Sequence, residues 1–367
     1  MGYIKQLDTL RAIAVIFVII HHWLSHIHFI NKLWLGFYAV NTFFVLSGFL
    51  ITGILFEHKQ KAEALNLSSI IVLKNFYIRR ALRIFPIYYL TIFLLLLVGN
   101  QTGTHIRTTF PYYLTYTSNF YFFRTEKWDG ILSHFWTLAV EEQFYLLWPW
   151  LVLFVRTKYL LPMIIGFVLV GFFSQLALIK NHWAGVLPIT CFDFFGMGAL
   201  LAWVITFRPN STQKFYRWTT IISLITLICF FFVNDMWLYP LLKFSSAIIS
   251  VWLIAYIVGY SREKTPFDFI LRNPILLFIG RISYGLYVYH LMIPRLVKGT
   301  ISRFNLHGFL PDTFQLYTRV LTLIEYIVVL VLIAWLSYIL IEKPFLRLKK
   351  YFTYEQIHNT SQASLSS

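Results

Sequence analysis

Leu7-Asp8-Thr9-Leu10-Arg11-Ala12-Ile13-Ala14-Val15-Ile16-Phe17-Val18-Ile19-Ile20-His21-His22 carries Asp8, Thr9 and Arg11 at one end and two histidines at the other of an apolar run. A helix needs roughly 20 mainly apolar residues to cross a bilayer. The run qualifies if it continues to about residue 30, and segments of this kind recur at 34–56, 81–98, 131–155, 159–179, 186–207, 217–233, 238–259, 275–294 and 320–341. The expectation is an all-α, polytopic membrane protein of about ten transmembrane helices. Composition supports it. Of 367 residues, 58% are hydrophobic and 13% charged, against about 45–50% and about 25% in soluble domains. Mean hydropathy is +0.67. A soluble enzyme, a disordered chain and a coiled coil are excluded. Aromatics, at 20%, suit interfacial belts.

The formal charge of +16 does not point to nucleic acid, because the cations sit in short segments between apolar runs. With the N-terminus cytoplasmic, inside segments outnumber outside ones in Lys and Arg by roughly two to one, and both ends face the cytoplasm. The piece Phe110–Phe123 is interrupted by Thr115, Thr117, Ser118 and Asn119 and reads as interfacial or re-entrant; as an eleventh span it would invert every later loop. Lys5, Asp8 and Arg11 before the first run, with no small-residue cleavage site after it, argue against a cleavable signal peptide. Residues 1–350 are expected to form one transmembrane domain and 351–367 a polar, Ser-rich, disordered cytoplasmic tail. Cys191 and Cys229 lie in apolar runs, so neither a disulfide framework nor a cysteine metal site is expected. No internal repeat is visible, which weighs against a repeat-built transporter.

Ionisable residues within spans usually face a bundle interior or a cavity. Here they are Arg11, His21, His22, Glu141, Glu142, Asp193, Lys243, Arg281, His290 and Glu325. Arg11 and His22, eleven residues apart, share a helix face and lie about 16 Å apart along the axis. That puts Arg11 near the cytoplasmic surface and His22 near the bilayer centre. An imidazole there is either a neutral core residue or a general base. Arg80 and Arg83 share a face at the cytoplasmic boundary, as an anchor or as a phosphate site. Ser47-Gly48 among aromatics lets backbones approach. His134 and Glu141 share a face of the fourth span, and Glu141 and Glu142 need separate partners. Gly280 to His290 is polar and aromatic enough to line a cavity, and Ile341–Lys350 reads as an amphipathic interfacial stop.

Taken as an ordered set, these strings resemble the acyltransferase-3 family of bacterial integral-membrane O-acyltransferases. The set is Leu7-Asp8-x-Leu10-Arg11 with His21-His22, Phe43-Phe44-x-Leu46-Ser47-Gly48-Phe49, and Arg80-x-x-Arg83. It continues with His134-x-Trp136-x-Leu138-x-x-Glu141-Glu142-x-Phe144-Tyr145, Ile282-Ser283-Tyr284-x-Leu286-Tyr287-x-x-His290 and Glu342-Lys343-Pro344. The resemblance implies a multi-pass protein of the inner (cytoplasmic) membrane. It would move an acyl group, commonly acetyl from acetyl-CoA, to hydroxyls of cell-surface carbohydrate such as polysaccharide or lipopolysaccharide, or of a lipid-linked sugar. Some members modify small natural products. Acyl-CoA enters as co-substrate, with no resident cofactor and no metal.

On this reading His22, Glu141, Glu142 and Arg11 are catalytic. His22 is the base, a glutamate orients it, and Arg11 or Ser47 stabilises the oxyanion. Arg80 and Arg83 bind acyl-CoA. Ser47, His134, Trp136, Tyr284 and His290 line the acceptor site or cavity. A covalent acyl-histidine route and a transporter or flippase of a lipid-linked solute stay open. Many members carry an extracytoplasmic hydrolase-like domain. This sequence shows none, so the acceptor is expected to reach the membrane core directly or a separate protein to complete transfer.

Overall fold

The computed structural model describes residues 3–230, 239–260, 265–295 and 315–352, and within them every regular element is helical. The main helices are α1 (Gln6–Leu24), α2 (Leu35–Ala64), α3 (Ser69–Val98), α4 (Ile106–Leu114), α5 (Ser118–Thr125), α6 (Phe135–Phe154) and α7 (Leu160–Ala177). They continue with α8 (Phe192–Phe207), α9 (Thr212–Phe230), α10 (Tyr239–Gly259), α11 (Pro274–Arg281), α12 (Ser283–Tyr289) and α13 (Gln315–Ser337). Most of the expected polar tail, residues 353–367, lies outside the described residues.

Local chemistry fixes several boundaries. Ser68 caps α3 by accepting from Ile70 N–H, and Asn273 accepts from Ile275 and Leu276 N–H at the start of α11, just before Pro274. Helices α2 and α3 each run 30 residues, about 45 Å. They therefore project beyond the apolar stretches 34–56 and 81–98, through Lys59 and Lys61 on one and from Ser69 through Arg80 on the other. Helices Ile106–Leu114 and Ser118–Thr125 have nine and eight residues, each too short to cross a bilayer.

Seven of the described helices are long and apolar enough to cross a membrane. Three expected segments lie outside that set. Helix α6 has the length but carries Glu141-Glu142-Gln143 within it, and α9 opens on the polar Thr212-Gln213-Lys214. The segment 275–294 is not one helix: it breaks between Arg281 and Ser283, where Ile282 takes φ −95° and ψ 8°. Just before the break, Gly280 lies so close to α1 that a Cβ there would collide with the Asp8 carbonyl. The first segment is also corrected. Helix α1 ends at Leu24, and a turn and a five-residue helix (His28–Lys32) follow rather than a continuous helix to residue 30.

Two apolar cores hold the bundle. One contains Phe44, Phe49, Trp148, Phe194 and Phe195; the other contains Val15, Tyr88, Tyr113, Phe135 and Val288. Helices α2 and α8 meet backbone to backbone, since a Cβ on Gly48 would strike the Phe195 carbonyl and one on Gly198 the Val45 carbonyl. Small residues at such crossings are how helices pack where lipid removes the hydrophobic drive. Polar side chains add links between helices: Asn41 Nδ2 donates to Ser246 Oγ (2.8 Å), and Trp148 Nε1 to Thr52 Oγ1 (2.8 Å).

Candidate active site

A cavity of about 1020 Å³ opens among α1, α2, α3, α6 and α12. The start of α1, the end of α2 and the start of α3 meet at its mouth. They bring Tyr3, Arg11, His58, Lys61, Arg79, Arg80 and Arg83 to its lining, and the chain after α13 adds Lys349. Lys61 pairs with Glu57 at 3.0 Å, and Arg11 Nη1 with Asp8 Oδ1 at 2.5 Å. Tyr3 donates its hydroxyl to the same Asp8. Among the described residues, Arg79, Arg80, Arg83 and Lys349 form no ion pair with a carboxylate. The Arg80 guanidinium is held instead over the rings of Tyr145 (5.3 Å) and Phe76 (5.7 Å). Like charges gathered without a contacting carboxylate repel one another, so this end of the cavity is electropositive.

Further in, the lining turns apolar and then polar. Ser47 Oγ donates to Glu141 Oε1 (2.9 Å) and lies 3.0 Å from the Tyr145 hydroxyl. Glu142 Oε1 is buried without a hydrogen-bond partner among the described residues. Tyr284 lines the cavity and donates to the Ile84 carbonyl (3.0 Å). Thr137 and Tyr287 close the inner end, their hydroxyls 2.5 Å apart. Behind them lies a cluster of three imidazoles. His290 Nε2 is 2.9 Å from His22 Nδ1, its Nδ1 is 2.6 Å from the Tyr287 carbonyl, and its ring centroid is 4.6 Å from that of His134. His134 Nε2 lies 3.2 Å from the Val288 carbonyl. His290 and His134 are buried, whereas His22 is exposed.

Arg11, Ser47, Arg80, Arg83, Glu141, Glu142 and Tyr284 therefore share one cavity, while His22, His134, Trp136 and His290 do not line it. Trp136 packs in the core against Phe44, ring centroids 6.1 Å apart. Two readings from the sequence are corrected. His22 sits in the last turn of α1, about 24 Å along the axis from Gln6, because the helix ends two residues later; it is not midway along a span. Its side-chain partner is His290, not a glutamate, because Glu141 is held by Ser47. Spacing within one helix reports a shared face but not what the face meets. Tyr287 lines the cavity as expected of the Gly280–His290 segment, whereas Thr137 and Lys349 were not foreseen as lining residues. Thr137 carried no separate signal within its apolar helix, and Lys349 reads as an ordinary interfacial cation. Among the described residues no three His, Cys, Asp or Glu come together as a metal group.

The profile of an acyltransferase domain matches residues 4–342. A provisionally named O-acetyltransferase of Staphylococcus aureus strain COL is 30% identical over 378 aligned positions, covering 94% of this chain and 58% of that protein. The peptidoglycan O-acetyltransferase OatA of Listeria monocytogenes is 32% identical over 333 positions, 78% of this chain and 49% of that one. The O-acetyltransferase OatA of Staphylococcus aureus is 28% identical over 381, with coverages of 93% and 57%. The chain thus spans about half the length of these relatives, between 49% and 58%. No solved structure matches it. With the profile covering almost all of the helical bundle, the chain belongs to the acyltransferase-3 family.

Proposed function

We propose that this chain transfers an acetyl group from cytoplasmic acetyl-CoA to a hydroxyl of a cell-envelope carbohydrate. The observation that carries the reading is the cavity, with unpaired cations at one end and imidazoles behind its other end. Arg79, Arg80, Arg83 and Lys349 suit the phosphates of CoA, and arginine binds them in bidentate fashion. The apolar middle suits the pantetheine arm. The exposed His22 faces the opposite side, where a sugar acceptor, lipid-linked or polymeric, would arrive. The name of the Listeria relative favours a cell-wall glycan. The reading takes all ten apolar segments as membrane-embedded in the inner membrane, residues 1–350 as the working domain with both ends cytoplasmic, and 351–367 as a tail.

In the reaction the acceptor oxygen attacks the thioester carbonyl. A C–O bond forms, the C–S bond breaks, the hydroxyl proton passes to His22, and a proton leaves with the thiolate as CoA-SH. Base catalysis of this kind supplies about 10²–10⁴ of the rate. For the acyl carbon to reach His22, the Thr137–Tyr287 hydroxyl contact must part. Membranes containing the chain, given [¹⁴C]acetyl-CoA and nascent peptidoglycan, should place base-labile label on the glycan. His22→Ala should abolish that label at unchanged protein level. Label that never leaves CoA, or full activity in His22→Ala, would overturn the reading.

A further inference from the structure

We propose that His290 fixes the tautomer of His22 and thereby decides which of its nitrogens is the base. This rests on the reading of His22 as the base. The Tyr287 carbonyl can only accept a hydrogen bond. It lies 2.6 Å from His290 Nδ1, so that nitrogen carries the proton. His290 is fully buried and has no carboxylate partner among the described residues, so the ring is neutral. Its Nε2 therefore holds a lone pair and accepts. The group 2.9 Å away is His22 Nδ1, which must be the donor. A neutral imidazole with its proton on Nδ1 keeps its lone pair on Nε2, and Nε2 of His22 becomes the base.

The dyad is held from the backbone as well. Trp23 Nε1 donates to the His290 carbonyl at 2.9 Å, so two consecutive residues at the end of α1 grip one residue just past α12. His290 then plays the part that a carboxylate plays in other oriented bases. It accepts from Nδ1–H, holds the ring angle, and keeps that bond when Nε2 takes the acceptor's proton. His290 is a positioning residue, because its nitrogens face Tyr287 and His22 and the cavity lining does not include it.

The test uses the full chain in lipid nanodiscs. With ¹⁵N-histidine labelling, and His22→Gln to assign the signals, His22 should show a protonated Nδ1 and a bare Nε2. His290→Gln, whose amide oxygen still accepts, should keep that pattern. His290→Phe, which keeps the ring but not the acceptor, should move the proton to Nε2. With acetyl-CoA and peptidoglycan as probes, His290→Phe should lower kcat by about 10²-fold or more, the scale of a mis-set tautomer, with KM for acetyl-CoA unchanged. His290→Gln should regain at least about tenfold of that loss. A bare Nδ1 in the unaltered protein, wild-type kcat in His290→Phe, or no recovery in His290→Gln overturns the proposal. If His290→Phe does not fold, the spectrum of the unaltered protein and the His290→Gln rate still decide it. Full transfer by His22→Ala would instead overturn the reading of His22 as base and leave the tautomer assignment standing.

Discussion

Ser47 Oγ donates to Glu141 Oε1 at 2.9 Å, tying the middle of α2 to the middle of α6 on the wall of the cavity. A buried carboxyl stripped of a donor costs about 1–3 kcal/mol. Ser47→Ala should therefore lower the Tm of the detergent-solubilised protein and slow transfer. Ser47→Thr keeps the hydroxyl and should restore most of both. Unchanged melting and rate in the alanine variant would mean that Glu141 needs no help from α2.

The cations at the mouth should govern donor affinity. Hydrogen bonds to charged groups are worth about 1.5–3 kcal/mol, so Arg83→Ala should raise KM for acetyl-CoA about ten- to a hundredfold and leave KM for the glycan alone. Lys349→Gln should act in the same direction and more weakly, since lysine lacks the bidentate fork. Raising the salt should weaken donor binding in the unaltered protein more than in either variant. A change confined to acceptor affinity would contradict the phosphate assignment.

Lys59 offers a purely structural control. Its Nζ donates to the carbonyls of Val152 (3.0 Å) and Val155 (2.6 Å) where α6 ends, the terminus at which a cation is favoured. Lys59→Met keeps the aliphatic stem and removes both bonds. Thermal unfolding should come earlier, by the equivalent of about 1–3 kcal/mol, while KM for acetyl-CoA stays the same.

Asp129 organises the segment between α3 and α6. It accepts from His105 N–H (2.7 Å), the Thr109 hydroxyl (3.0 Å) and the Tyr113 hydroxyl (2.9 Å). Burial and the nearby carboxylate push the Tyr113 hydroxyl well above its usual range, so it remains a donor throughout the physiological pH range. Asp129→Ala removes the acceptor of His105 N–H and of the Tyr113 hydroxyl, leaving Thr109 only the His105 carbonyl (3.0 Å), and should expose α4 and α5 to limited proteolysis. A digestion pattern like that of the unaltered protein would show that the apolar contacts of Tyr113 and Phe122 suffice.

The helices were legible because an apolar run of span length has few other fates, and α7 and α8 lie within a few residues of their expected bounds. The polar extensions of α2 to Ala64 and α3 from Ser69 were not, because hydropathy marks where lipid ends rather than where the helix does. The break at Ile282 follows the packing of Gly280 on Asp8, a contact across most of the chain that no local pattern carries. The site divides in the same way. Arg11, Arg80 and Arg83 were readable from their place at a span boundary. The His22–His290 contact joins residues 268 positions apart, and only the folded bundle brings them together.

The reciprocal seating of Gly48 on Phe195 and Gly198 on Val45 has a mechanical corollary. Backbones pressed together in this way have no slack, so α2 and α8 must travel as a single strut. Ser47, next to Gly48 in the chain, inherits that stiffness. Any breathing of the cavity therefore falls to α1, α3 and the interrupted α11–α12 pair on its other walls.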